Sequence, residues 1–128
     1  MITLHTIIPA TPAQIYAAWL DGKKHAAMTG GKATGSAKVG SKFTAWDGYI
    51  WGKNVKLLKD KLIVQAWRTS EFSDDDPDST LTITLTKIKS GTKLSLKHGG
   101  TPKTQEASYR SGWHEHYFDP MQEYFASR

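Results

Sequence analysis

Residues 106–125 read EASYRSGWHEHYFDPMQEYF, and the fold class follows mainly from this segment. Large side chains recur in it at steps of four, four, four and three, with Phe125 beside the last: Tyr109, Trp113, Tyr117, Met121 and Tyr124. On an α-helix this spacing puts them on one face. Pro120 removes the backbone hydrogen bond to the carbonyl of His116, so we expect a kink or a local widening there. The stretch predicts a long C-terminal helix, capped at Thr104, with one aromatic face.

The N-terminal part predicts a strand followed by two short helices. Residues 2–8 alternate apolar and polar side chains, which is typical of a half-buried strand. The sequence TPAQ at Thr11–Gln14 has the features of a capping box, with Thr as N-cap, Pro at the first helical position and Gln three residues after the cap. We expect this helix to end at Asp21, and a second helix to cover residues 24–28.

The middle of the chain predicts an antiparallel sheet. Residues 30–40 are rich in Gly and Lys and indicate turns with one weak strand. Alternating strand patterns then follow one another through short turns at residues 47–48, 59–61 and 90–91, and such links join antiparallel neighbours. Only the last helix is long and apolar enough to cover so large a sheet. We therefore predict a single α+β domain over residues 1–128, with a curved sheet of about six to seven strands wrapped around the C-terminal helix.

Composition excludes several classes of protein. The chain has 17 basic residues and a net charge of +5, but its lysines are dispersed, which favours a solubility role over a nucleic-acid surface. It has no cysteine for disulfides or thiolate metal sites. No apolar run approaches the ~20 residues that cross a bilayer, and the N-terminus does not resemble a signal peptide. We expect a soluble cytoplasmic protein, a monomer or weak dimer, without nucleic-acid or membrane partners.

Four segments resemble one known family. They are IVQAWR at residues 63–68, LTITL at 81–85, GTKL at 91–94 and, most specifically, GWHEHYFDPM at 112–121. These are similar to the C-terminal-type domain of the heat-shock protein 90 ATPase activator homologues, within the START or birch-pollen-allergen superfamily (SRPBCC). The likeness covers nearly the whole chain.

The resemblance implies a helix-grip fold, with a cavity between the curved sheet and the final helix. Many single-domain relatives look like binders of small apolar molecules, so we expect non-enzymatic binding of such a ligand, without a cofactor. One alternative is a co-chaperone-like contact with a chaperone, although in the eukaryotic activators a larger domain precedes this one. A second alternative is an enzyme that uses the same cavity.

Inward-facing side chains define the expected cavity. They are Trp19, Phe43, Trp51, Trp67, Leu85, Leu96, His98, Trp113 and Tyr117. The competing interpretation is an ordinary filled core. The parity of the strand around Trp67 is ambiguous, because Leu62 and Val64 compete with Ile63 and Trp67 for the inner face. His98 is the candidate acid or base in the gap, against a histidine that simply bonds to the backbone.

Two further patterns suggest metal sites, and neither is favoured. His114 and His116 are two residues apart, so on a helix they point roughly 200° away from each other and cannot share one ion. The acidic run at residues 73–78 offers oxygen ligands for a hard cation, but it lacks the Gly and terminal Glu of a calcium loop. A solvated hairpin loop is the preferred interpretation.

Overall fold

The computed structural model describes residues 1–127, which contain six antiparallel strands. These are β1 (Ile2–Ile8), β2 (Lys42–Ala45), β3 (Ile50–Leu58), β4 (Leu62–Thr69), β5 (Ser79–Ile88) and β6 (Gly91–Gly99). They form one sheet in the order β1-β6-β5-β4-β3-β2. The weak strand expected within residues 30–40 is only an isolated bridge between Thr34 and Thr44. The predicted α+β helix-grip fold is confirmed, and the sheet has six strands, the lower of the two expected numbers.

Two short helices follow β1, as predicted: α1 (Pro12–Leu20) and α2 (Gly22–Thr29). The capping box is present, because Thr11 Oγ1 accepts the Gln14 backbone N–H at 3.1 Å and Gln14 Oε1 accepts the Thr11 N–H at 2.9 Å. Asp21 ends α1, and it caps α2 because its Oδ2 accepts the Lys24 backbone N–H at 3.0 Å, an ordinary hydrogen-bond distance. A single aspartate thus ends one helix and caps the next.

The C-terminal helix has three parts: α3 (Glu106–Trp113), a π-helical turn (His114–Phe118) and α4 (Asp119–Ala126). The expected widening before Pro120 is therefore confirmed. The cap expected at Thr104 is wrong, because Thr104 lies inside a 3-10 turn and α3 starts after Gln105 without a side-chain cap.

The buried stripe of this helix recurs at steps of four throughout. Its members are Tyr109, Trp113, Tyr117, Met121 and Phe125. In a regular α-helix each step of four overshoots one turn by roughly 40°. The wider π turn compensates for part of this rotation, so Phe125 rather than Tyr124 completes the buried face.

The inner face of the sheet carries the core. In β4 the buried residues are Ile63, Gln65, Trp67 and Thr69, which resolves the parity of this strand and places Leu62 and Val64 outside. The strands β5 and β6 add Leu81, Ile83, Leu85, Leu94, Leu96 and His98. Each fully buried aliphatic side chain contributes roughly 1.5–3 kcal/mol. This layer therefore dominates the stability of the fold.

The acidic segment 73–78 is a hairpin loop organised around one guanidinium. Arg68 donates from Nη1 to the Asp76 carbonyl at 3.0 Å and to Asp78 Oδ1 at 2.9 Å, and from Nη2 to the Ser73 carbonyl at 2.9 Å. Two carbonyls and one carboxylate of the loop thus bind an arginine of the same chain. Within residues 1–127 there is no group of three metal-ligating side chains and no helix long and apolar enough to cross a membrane.

Candidate ligand-binding pocket

A partly open cavity of about 450 Å³ lies where β3 begins and β4 ends, beneath α3 and the π turn. Its lining residues are Trp46, Tyr49, Ile50, Trp67, Ser108, Tyr109, Ser111, Gly112, Trp113, Glu115, His116 and Tyr117. We call this cavity the pocket. Of the nine residues predicted for a cavity, it contains Trp67, Trp113 and Tyr117.

The centre of the helix–sheet interface is filled. Trp19, Leu85, Leu96 and His98 are buried there and do not line the pocket. Trp19 stacks on Trp113 at 6.2 Å between ring centroids, and its Nε1–H bonds to Gln65 Oε1 at 3.3 Å. Most of the aromatic set thus forms a filled core, and a cavity remains at one edge.

Two predicted lining residues lie elsewhere. Trp51 is 39% exposed on the outer face, because Ile50 and Gly52 take the inward positions of β3. It lies opposite Arg68, whose guanidinium is 6.0 Å from the indole centroid. Phe43 is half-buried against the core and packs beside Gly52 rather than in the pocket. Both placements follow from the register of β3, which the alternation of apolar residues did not reveal.

His98 sits behind the pocket with both ring nitrogens engaged. Trp113 donates its indole N–H to Nδ1 at 3.2 Å, so Nε2 carries the proton and donates to Ser79 Oγ at 2.8 Å. Ser79 in turn donates to the Trp67 carbonyl at 2.6 Å. Burial without a charged partner lowers the pKa of His98 to about 4. His98 bonds to side chains rather than to backbone, and it does not reach the pocket as an acid or base.

A second buried histidine holds Tyr117. His25 Nδ1 lies 2.8 Å from the Trp19 carbonyl, which only accepts, so Nδ1 carries the proton. Nε2 therefore accepts the Tyr117 hydroxyl proton at 2.9 Å. Burial lowers the pKa of His25 and raises the pKa of Tyr117. The two central side chains of the helix stripe are thus each fixed by one neutral histidine.

The turn between β2 and β3 brings an unexpected indole into the pocket. Trp46 and Asp47 have φ values of 51° and 60°, a left-handed conformation that is strained for residues other than glycine. The Trp46 ring lies against His116 at 5.3 Å between centroids, and a Cβ on Gly31 would come within 2.6 Å of it. Its Nε1–H approaches the Tyr117 hydroxyl but has no hydrogen bond of normal geometry within residues 1–127.

Two more phenols line the outer end of the pocket, and each gives its proton to a neighbouring side chain. Tyr49 donates to Glu71 Oε2, and Tyr109 donates to Gln105 Oε1 at 2.5 Å. Thr69 then donates to the Tyr109 oxygen at 2.7 Å. Burial, followed by the Glu71 bond, raises the pKa of Tyr49, and burial raises that of Tyr109. Both rings are held neutral and in place.

Four lining residues outside the predicted cavity set carry sequence signals of their own. Trp46 and Tyr49 flank the Asp-Gly turn, where large rings are unusual at solvent-exposed positions, and Tyr109 belongs to the helix stripe. Gly112 stands inside a helix, where Gly costs about 1 kcal/mol relative to Ala. A Cβ there would meet only His116 Cδ2, at 3.8 Å, so this glycine leaves the mouth of the pocket open.

Known proteins share this fold over almost the whole chain. An HSP90 activator from Plasmodium falciparum superposes with a TM-score of 0.85 at 24% identity, covering 95% of this chain and 93% of that one. The Aha1 dimer from Colwellia psychrerythraea gives a TM-score of 0.82 at 17% identity, covering 99% and 97%. These likenesses confirm the helix-grip architecture.

Sequence comparison agrees with the structural neighbours. The chain is 29% identical over 124 residues to the Activator of 90 kDa heat shock protein ATPase homolog 1 of Homo sapiens, covering 97% of this chain and 36% of that protein. It thus spans about a third of the length of this relative. The family model described as "Activator of Hsp90 ATPase homolog 1-like protein" matches residues 9–126. The chain therefore belongs to the Activator of Hsp90 ATPase homolog 1-like protein family.

Proposed function

We propose that this protein binds a small, mainly hydrophobic molecule in the pocket. The observation that carries the proposal is a cavity of about 450 Å³, lined by aromatic side chains, at the edge of an otherwise filled core. Protein interiors are close-packed, and voids larger than a water molecule are few. A cavity of this size is in the range of small-molecule sites.

Two local features of the pocket wall cost stability. The left-handed turn at Trp46 costs of order 1–3 kcal/mol for each strained residue. Gly112 lies inside α3, where glycine stabilises a helix less than a larger residue would. Local cost of this kind is typical of a site that has a binding role.

A screen against lipids and aromatic compounds tests the proposal, with Gly112→Leu as the blocking variant. Leucine is a good helix former, and its side chain would enter the mouth of the pocket. A ligand present at 100 times its Kd stabilises the native state by about 2.7 kcal/mol. We expect hits that raise the melting temperature of the wild-type protein and not that of Gly112→Leu.

Gly112→Ala is the matched control, because its single methyl group makes only an ordinary contact. It should be as stable as the wild type or more so, and it should still bind. Equal binding by Gly112→Leu would place the ligand outside the pocket. The absence of any hit with the wild-type protein would contradict the proposal.

A co-chaperone-like role is the second candidate, and the similarity to a named ATPase activator over 97% of this chain favours it. We infer that the protein contacts an Hsp90-type chaperone through its surface. The ATPase rate of a purified chaperone of this type, measured with and without the protein, tests the idea directly. Neither binding nor a change in rate at micromolar concentrations would argue against it.

A further inference from the structure

The walls of the pocket are aromatic on both sides. The sheet side contributes three rings and the helix side three more: Trp46, Tyr49, Trp67, Tyr109, Trp113 and Tyr117. Trp67 packs directly against Tyr109 and Trp113, with centroid distances of 5.2 and 5.7 Å, so the rings on the two sides form one continuous aromatic surface. A cation within about 6 Å of an aromatic ring is attracted by the ring quadrupole, most strongly by Trp. Three indoles and three phenols around one cavity are therefore suited to a cationic ligand.

The same walls offer few hydrogen-bond donors. All three phenols give their protons to protein acceptors: Tyr49 to Glu71, Tyr109 to Gln105 and Tyr117 to His25. The Trp46 N–H is enclosed by protein atoms, and the serines of the lining lie at the exposed rim. An anion or a strong neutral acceptor would lose its hydration here without replacement donors. A ligand whose charge is positive and spread over alkyl groups does not need them.

The charged side chains of the lining do not repel a cation. The chain carries a net charge of +5, yet within residues 1–127 the lining contains no lysine and no arginine. Its carboxylate is that of Glu115 at the rim, with a side chain 70% exposed, and Glu71 lies behind Tyr49. The histidine of the lining, His116, is 4.0 Å from Glu115. Among the described residues, the lining thus carries a carboxylate and neither lysine nor arginine, on a protein whose net charge is +5.

From these three observations we propose that the ligand is an organic cation, an alkylated ammonium group attached to an apolar body. This rests on the ligand-binding role proposed above and adds the chemical class. The aromatic walls receive the alkylated nitrogen, and Glu115 attracts it to the mouth. A primary ammonium is a poorer ligand, because it is strongly hydrated and would need acceptors on three sides.

Three probes that share a benzyl group separate the effect of ligand charge on binding from the effect of ligand shape. They are benzyltrimethylammonium, its neutral isostere neopentylbenzene, and the anion benzylsulfonate. We would titrate each into the full chain at pH 8 and follow the five indole N–H signals by NMR. Shifts should appear at Trp46, Trp67 and Trp113, which line the pocket, and not at Trp51 on the outer face.

We expect the cation to bind about tenfold more tightly than the neutral isostere, and the anion to bind most weakly. Glu115→Gln should weaken binding of the cation about two- to fivefold and leave binding of the neutral probe unchanged. Glu123→Gln, an exposed glutamate of α4 outside the lining, is the control and should change neither.

The outcomes distinguish the two proposals. Equal or tighter binding of neopentylbenzene with shifts at the pocket indoles would overturn the cationic class and leave the hydrophobic ligand role intact. Preference for benzylsulfonate would also overturn it. If no probe shifts the pocket indoles and the screen finds no ligand, both proposals fail.

Discussion

Trp113 donates its indole N–H to Nδ1 of His98 at 3.2 Å, with the two ring centroids 5.6 Å apart. This bond joins the middle of the C-terminal helix to the last strand of the sheet. It also requires a neutral imidazole, because a protonated His98 would present an N–H where it now accepts one. The stability of the helix–sheet contact therefore depends on pH.

We expect the free energy of unfolding to fall as the pH falls from 6.5 to about 4. The pKa of His98 is about 4 in the folded protein and 6.5 ordinarily, so in this window the unfolded chain binds more protons. The loss approaches about 1.4 kcal/mol for each pH unit and stops below the folded pKa. His25, whose pKa burial also lowers, acts in the same direction.

Urea denaturation at pH 7.5, 5.5 and 4.5 measures this effect, with His98→Gln as the comparison. Glutamine can accept from Trp113 and donate to Ser79, but it does not titrate. The variant should be less stable at pH 7.5, and it should lose less stability than the wild type between pH 7.5 and 4.5. Parallel losses in the wild type and the variant would show that His98 is not responsible.

Trp113→Ala should be the most damaging single truncation, at about 3–5 kcal/mol. The side chain is 3% exposed, it contacts Trp19, Trp67 and Tyr117, and its removal leaves Nδ1 of His98 without a donor. Trp51→Ala removes the same ring from the outer face and should cost less than about 1 kcal/mol. A loss below about 1 kcal/mol for Trp113→Ala, in chemical denaturation, would mean that its ring faces a hydrated space instead of the core.

Local features of the fold were predictable because local chemistry determines them. The capping box at Thr11, the alternation in β5 and β6 and the backbone defect at Pro120 each depend on a few adjacent residues. The pocket depends on two facts that the alternation of apolar residues does not encode. One is the register of β3, which turns Trp51 outward, and the other is the left-handed turn that directs Trp46 inward.

Which face of β4 is buried was also not predictable from local sequence. Alternation identified the strand, but both of its faces carry apolar residues, so the choice between Trp67 and Val64 could not be made locally. Strand pairing determines which face is buried. Ile63 and Gln65 lie opposite the buried β5 residues Ile83 and Leu81. The position of the cavity thus follows from strand pairing, which periodicity does not encode.

Arg68→Lys should loosen the loop at residues 73–78 although it keeps the positive charge. The guanidinium donates to two carbonyls and a carboxylate at once, which a single ammonium group cannot reproduce with the same geometry. We expect a loss of about 1–2 kcal/mol and faster hydrogen exchange at the Asp76 amide, which bonds to the Ser73 carbonyl. Arg110→Lys, at an exposed position of α3, is the control. Unchanged exchange at Asp76 would show that the loop is ordered without Arg68.

Gly52→Ala should destabilise the protein by about 3 kcal/mol or more, because β3 and β4 approach too closely there for a side chain. A Cβ on Gly52 would come within 1.8 Å of the Ala66 carbonyl oxygen, a backbone atom that cannot move without breaking the pairing opposite Trp67. Gly99→Ala, also in a strand, would meet only the flexible end of Met1 at 3.1 Å and should change stability by less than about 1 kcal/mol. Since β3 and β4 also carry Ile50 and Trp67 into the pocket, Gly52→Ala should shift the indole signal of Trp67 as well. Similar stabilities for the two alanine variants, measured by chemical denaturation, would contradict this pairing of the strands.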